Sequence, residues 1–213
     1  MHKPPEEIFI IGAGGHGKVA VRAAQAAGSR VVAIFDDNPS KWDSLVFGVA
    51  VVGPVDAICT RPPLPTLLAI GDNDRRLELA NKLNLPWASV VHPAAYVDEY
   101  AQIGAGVLVL PGAVIHVDAV VGDHAIVNSN ATVEHDCRIG AGAHVSCRAC
   151  LTGGVQVGRG ALIGAGAVVL PGIRVADFAR VGAGAVVTRN VEIATTVVGV
   201  PAQLLVPRQC PAA

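Results

Sequence analysis

At 213 residues, with a net charge of −1 and 52% hydrophobic residues, the chain can build a real core and carries no basic footprint for nucleic acid or an anionic membrane surface. No apolar run approaches the roughly 18 residues of a membrane span, and Met1 to Pro5 lacks the apolar centre of a signal peptide, so the reading is a cytoplasmic protein. Cys59, Cys137, Cys147, Cys150 and Cys210 are an odd set without an export signal, which predicts reduced thiols; the Cys147-x-x-Cys150 pair has no second pair to complete a zinc site, and no metal is expected.

Ile8 to Ile11 reads as a short strand running into Gly12-Ala13-Gly14-Gly15-His16-Gly17. An Ala-rich helix over Val19 to Ala27 follows, stopped by Gly28. Val31 to Phe35 is the next strand, ending on Asp36-Asp37-Asn38-Pro39, and the β-α-β spacing favours a parallel pair. Shorter apolar segments lie at 49–52, 57–59 and 66–70. Residues 74–84 have helical spacing with Leu77, Ala80 and Leu83 on one side, and Asp72 or Asn73 is placed to cap them. Trp87 to Val91 is the last expected strand of this region, which gives a division into 1–90 and 91–213.

Gly12-x-Gly14-x-x-Gly17 satisfies the dinucleotide fingerprint, and Asp36 lies 19 residues beyond Gly17, where a ribose-binding acid belongs. On the pattern alone NAD is a reasonable ligand. Against it, 90 residues are too few for the two halves that embrace a dinucleotide, and a nucleotide-sugar fits the space better. In that case the backbone at Gly14 and Gly15 and the start of the helix face a diphosphate, His16 adds a charge-assisted contact, and Asp36 or Asp37 takes the ribose or base. A tight turn with no ligand is the alternative.

From Val97 to Val187 every sixth residue is Val, Ile or Leu, and a small or modest apolar residue such as Ala101, Ala113 or Ala167 follows four positions after each. Neither a helix nor a strand has this period. Equivalent short units stacked so that their apolar residues form columns do, which predicts a parallel β-solenoid. If three hexads close one triangular coil, about 18 residues make a turn and about five turns follow. The period by itself fixes neither the triangular section nor the winding sense.

The motifs I-G-A-G-V (103–107), I-G-A-G-A (139–143 and 163–167) and V-G-A-G-A (181–185) resemble the hexapeptide repeats of the left-handed β-helix acyltransferases. Together with I-I-G-A-G-G-H-G-K-V (10–19), V-H-P (91–93), E-H-D-C (134–137) and V-G-V-P-A (198–202), the chain resembles the sugar O- and N-acetyltransferases of sialic-acid and bacterial aminosugar pathways. The resemblance implies a short parallel α/β sheet followed by an all-β left-handed helix, acetyl-CoA as co-substrate, and a homotrimer with active sites between subunits.

Such an enzyme must take a proton from an incoming amine, direct the amine at a thioester carbonyl and stabilise the oxyanion formed. Among seven histidines, His135 lies two residues after the column residue Val133, on the wall rather than in the core, between Glu134 and Asp136. By resemblance His135 is the general base and Asp136 orients its ring, with Asp in place of the Glu common in relatives. By resemblance, too, His144 contacts the acetyl-CoA arm, the Gly153 amide faces the thioester oxygen and Asn128 lies near the sugar. Ala165, Ala183 and Pro201 mark the coenzyme strip on the same ground. His92, His116 and His124 read as satisfied polar groups at the surface.

The resulting expectation is an N-acetyltransferase acting on a nucleotide-linked aminosugar, a 4-amino-6-deoxy sugar for surface polysaccharide or glycan. Sialic-acid O-acetylation is the competing chemistry, and a non-catalytic scaffold the competing class.

Overall fold

In the computed structural model, which describes residues 4–205, the first third of the chain alternates strand and helix: β1 (Glu7–Ile11), α1 (Gly15–Ala26), β2 (Arg30–Phe35), a hairpin of β3 (Leu45–Val46) and β4 (Val49–Ala50), β5 (Thr66–Leu68) and α2 (Asn73–Lys82). Cys210 and Met1 to Lys3 lie outside the described residues. β1 is buried along nearly its whole length, as a central parallel strand covered on both faces must be. It pairs in parallel with β2 on one side and β5 on the other.

α1 begins at Gly15, four residues before the expected Val19. The reason is positional: Gly14 is the N-cap and Gly15 and Gly17 fall in the first turn, where the amides have no intrahelical acceptor to lose. Of the two candidate caps for α2, Asp72 is the one used, its carboxylate accepting from Arg75 N–H at 2.8 Å. The 57–59 segment is part of a 3₁₀ helix, Val55–Thr60. The expected strand over Trp87 to Val91 shrinks to Val90–Val91, which pairs with Leu108–Val109 and so belongs to the solenoid; Trp87 only bridges Thr66.

Two-residue strands recur every six residues from Tyr96–Val97 to Val186–Val187, and each pairs in parallel with the strand 18 residues away, which closes a triangular coil. The second residue of each strand points inward and the first outward. Ile115, Val133, Leu151 and Val169 are fully buried in one column, interleaved with Ala131, Ala149 and Ala167. Full burial of each such aliphatic contributes roughly 1.5–3 kcal/mol. Each corner is turned by a residue in the left-handed region: every sixth position from Gly106 to Gly184, among them Asp118, Asn130 and Asp136. Glycine and Asp or Asn tolerate that backbone best.

The stack outruns the expected five turns, because Val90–Val91 precedes the perfect hexads and Thr196–Val198 follows them, paired with the strands at Leu108 and Arg180 respectively. In the last coil Val197 pairs with Val181 across only 16 residues, so the six-residue count ends there. The chain then folds back with Gln203–Leu204 antiparallel to this end strand.

The outward residues differ from wall to wall. One wall presents Tyr96, Val114, Thr132, Cys150, Val168 and Val186, all uncharged, with Asp98, His116 and Glu134 in the column beside them. A second presents Gln102, Val120, Arg138, Gln156 and Arg174. The third is covered by the α/β region: Leu108 and Ile126 share one core with Ala20, Val21 and Ala24 of α1.

Further along this third wall α2 is fastened by Arg76, whose side chain is fully buried. Its guanidinium donates to the carbonyls of His124 (2.8 Å), Gly142 (2.7 Å) and Ile70 (2.7 Å) and to Asn73 Oδ1 (2.8 Å). Asn73 Nδ2 donates to the Gly160 and Ala161 carbonyls, both at 3.0 Å. Leu77 lies against Gly142, where any side chain would collide with it.

Candidate active site

The carboxyl ends of β2, β1 and β5 open into a cavity of about 360 Å³. Gly14, Gly15, His16, Asp36 and Asp37, the residues expected to meet a nucleotide, all line it. Its glycines divide by purpose. Gly12 has φ +110 and its Cβ would strike the Ala69 carbonyl at 2.7 Å, while a Cβ on Gly17 would strike the Gly12 carbonyl. Those two are structural. A Cβ on Gly15 would meet no protein atom within 4 Å, and one on Gly14 only Lys41 Nζ at 4.0 Å, so the open space there suits a ligand approaching the backbone. The α1 N-terminus has no side-chain cap and no acidic residue in its first turn, leaving its amides for an anion.

Asp36 braces this turn. Its Oδ2 accepts from Ala13 N–H (2.7 Å) and Lys41 Nζ (2.9 Å), and its Oδ1 from Asn38 N–H (2.9 Å). Burial would raise this carboxyl, but the bonds from Ala13, Lys41 and Asn38 outweigh it and hold the group below the ordinary carboxylate value. The acid with free surface is Asp37, whose side chain is 53% exposed and pairs with Arg75. Lys41 and Arg75 are lining residues that sequence reasoning missed, since neither stands in a motif. Only the chain's passage through the Pro39–Lys41 turn and α2 brings them to the cavity.

His16 also reaches the covered wall of the solenoid, its ring centroid 6.0 Å from that of His144. Asn128 Oδ1 accepts from Ser129 N–H, so its Nδ2 donates to His144 Nε2 at 3.0 Å, which leaves the His144 proton on Nδ1. Burial, reinforced by Arg76, pushes both imidazoles down to about 4, and both are neutral at pH 7. His16 Nε2 is buried with no partner among the described residues. The structure therefore joins His144, Asn128 and His16 in one group beside the cavity.

His135 stands elsewhere, on the corner between the Val114–Thr132 wall and the arginine wall, exposed to solvent. Asp136 holds the left-handed corner position (φ +61), which brings its Oδ2 within 2.7 Å of His135 Nδ1; the short side chain reaches the ring. This bond, opposed by a small desolvation and aided by the charges of Asp136 and Glu134, raises the His135 pKa above its ordinary value. One coil on, Gly153 lies beside the ring: a Cβ there would stand 2.6 Å from both Cε1 and Nε2. The dyad leaves Nε2 free to accept a proton next to a backbone amide.

Ala165 and Ala183 are exposed on the corner at the other edge of the Val114–Thr132 wall, and Pro201, also exposed, follows the end strand through a cis Val200–Pro201 bond. The residues expected to meet the coenzyme and His135 thus border one wall from opposite sides. His124 departs from its expected surface position: it takes a left-handed corner and turns its ring inward against Trp87, ring centroids 4.7 Å apart, with its Nδ1 buried and without a partner among the described residues. Among the described residues no group of His, Cys, Asp and Glu is arranged to hold a metal, and no helix is long and apolar enough to cross a membrane.

Residues 7–83 match the profile of the PglD N-terminal domain; residues 154–189 match the bacterial transferase hexapeptide (six repeats), and 130–171 the hexapeptide repeat of succinyl-transferase. PerB of Caulobacter crescentus, solved with CoA and GDP-perosamine, is 38% identical over 93% of this chain and 97% of its own, with a TM-score of 0.88. The acetyltransferase domain of PglB from Neisseria gonorrhoeae, solved with acetyl coenzyme A, is 33% identical over 94% of this chain and all of its own, also at 0.88. WeeI of Acinetobacter baumannii is 25% identical over 93% and 99%, at 0.74. A match to uncharacterized protein L142 of Acanthamoeba polyphaga mimivirus, 29% identical over 100 residues, covers only 20% of that protein.

Proposed function

Since this chain belongs to the left-handed β-helix, hexapeptide-repeat N-acetyltransferases with a PglD-type amino-terminal domain, we propose that it transfers acetyl from acetyl-CoA to the amino group of a nucleotide-linked aminosugar. In this reading residues 1–90 hold the nucleotide and 91–213 carry the chemistry. The α1 amides at Gly14 and Gly15 face the diphosphate with Lys41 as counter-charge, Asp37 faces the base side, and His16, Asn128 and His144 line the sugar. Their neutral rings and amide suit hydroxyls better than charges. Placing His144 with the sugar departs from its expected contact with the acetyl-CoA arm, because its partner is Asn128.

The carrying observation is the His135–Asp136 dyad beside Gly153. The amine nitrogen attacks the thioester carbonyl while His135 Nε2 takes its proton and Asp136 holds the imidazolium that forms. The Gly153 N–H supports the tetrahedral oxyanion, a contribution worth a few kcal/mol in comparable sites. Collapse breaks the C–S bond, and the leaving thiolate takes the proton back from His135. The coenzyme lies along Ala165 and Ala183 towards Pro201, on backbone without bulk.

A trimer supports this assignment geometrically. The wall of Val114, Thr132, Val168 and Val186, which carries the most apolar outward strand residues of the two open walls, is the one suited to face a threefold axis. Three copies so arranged bring the His135 edge of one against the Ala165 and Ala183 edge of the next, alongside that neighbour's covered wall with His144 and its nucleotide cavity. The same reading places the reaction in the cytoplasm and its product, an acetylated 4-amino-6-deoxy sugar, in surface polysaccharide or glycan synthesis. Sialic-acid O-acetylation uses no nucleotide and leaves the Gly14–Gly15 cradle without a purpose.

Steady-state kinetics test the base. His135→Ala lowers kcat roughly 10²–10⁴-fold with little change in the KM of acetyl-CoA. Activity requires the neutral imidazole, so the rate rises with pH through a pKa above the ordinary histidine value. Asp136→Asn loses less rate and moves this limb to lower pH, because the bond that raises the pKa is weakened. Near-normal kcat in His135→Ala sinks the assignment.

A further inference from the structure

We infer that the nucleotide-sugar substrate is guanosine-linked, its base read by the Asp37–Arg75 pair at the cavity rim. The inference rests on the nucleotide-sugar reading above and adds the base to it. With the diphosphate at the start of α1, the base falls where β2 and α2 approach each other. There Val55, Ile70 and Leu79 supply apolar surface for a ring, and Asp37 and Arg75 supply the only charged edge beyond the Asp36–Lys41 brace.

The hydrogen-bonding capacity of that edge can be counted. Asp37 Oδ1 accepts from Val55 N–H at 2.9 Å and Oδ2 from Arg75 at 3.1 Å. An ionised carboxylate accepts about four bonds, so each oxygen keeps one place. Arg75 commits one of its N–H groups to Asp37 and one to Glu78 Oε1 at 2.7 Å, and the rest of its fork is free. The edge therefore offers two adjacent acceptors beside a donor.

Guanine presents the complement, with N1–H and the N2 amino group as adjacent donors beside the O6 acceptor. Uracil and thymine set one N–H between two carbonyl oxygens, so a carboxylate that meets the N–H also meets an oxygen, acceptor against acceptor. Adenine and cytosine offer one amino donor next to an acceptor ring nitrogen and use only half of the carboxylate. The preference is thus set by the second acceptor, and Asp37 supplies it because Asp36 is spent on bracing the turn.

Isothermal titration of the full chain with GDP, UDP, dTDP, ADP and CDP decides the point. GDP binds roughly ten- to hundredfold more tightly than the others, the size of a bidentate base discrimination. In Asp37→Asn, which keeps an oxygen for Val55 N–H but turns the second acceptor into a donor, the GDP advantage over UDP falls to about threefold or less. Arg75→Gln narrows the GDP advantage in the same direction and serves as the test if Asp37→Asn fails to fold. Equal or tighter binding of any other nucleotide by the wild type overturns the guanine inference and leaves the nucleotide-sugar reading standing. Failure of every nucleoside diphosphate to bind overturns both.

Discussion

Gly153 does not adopt a left-handed backbone, so alanine is sterically allowed there by the chain itself; the obstacle is the His135 ring, 2.6 Å from where the new methyl would stand. Gly153→Ala therefore leaves the melting temperature nearly unchanged while turning the base away from the amine. Misplacement of a reacting group by about 1 Å typically costs on the order of 100-fold in rate, and kcat should fall by about that much with acetyl-CoA affinity preserved. Unchanged kcat would show that the ring seen beside Gly153 is not the reacting position. Asp136 contributes at the same scale through its backbone: a corner needing φ near +60 favours Asp, and the same φ brings its carboxylate to the imidazole.

At the scale of elements, α2 is tied to the solenoid by a buried charge in addition to the apolar contact of Leu77. Arg76 is fully buried, and burial lowers its pKa to about 10, which still leaves it charged at pH 7. Leaving a buried acceptor without its donor typically costs about 1–3 kcal/mol for each such group. Arg76→Leu would strand the His124 and Gly142 carbonyls, and denaturant unfolding should register a loss of that size. Arg138→Ala, on an exposed wall, should stay within about 0.5 kcal/mol of the parent. Equal effects at the two positions would mean that α2 is not held by its guanidinium.

For the whole molecule, the proposed edge-to-edge assembly has the consequence that no single chain would own a complete site. Alone, His135→Ala is expected to leave at most about 1% of turnover, and Gly14→Val to block sugar binding by filling the proposed diphosphate cradle. Co-expressed in equal amounts and mixed at random, they place an intact His135 edge beside an intact neighbouring cavity at about a quarter of the sites. Activity near a quarter of the parental value is expected in the purified mixture. No recovery, in trimers shown by mass to contain both chains, would place base and cavity in one subunit.

The six-residue column from Val97 to Val187 determined the solenoid by itself, because burying one aliphatic per short wall admits no other periodic structure. The E-H-D-C run likewise marked His135, since an outward position two residues after a column residue is a matter of counting. Where α1 begins was less legible, because glycines read as breakers until they are seen to occupy the cap and first turn. Which acid is left free for a ligand was not legible at all: Asp36 and Asp37 are neighbours of the same kind, and only the fold shows Asp36 held by Ala13, Asn38 and Lys41. The pairing of His144 with Asn128 and His16 was likewise decided by the tertiary structure. Residues 16 and 144 lie 128 positions apart, and their meeting depends on α1 packing against one particular wall of the solenoid, a relation that local periodicity does not encode.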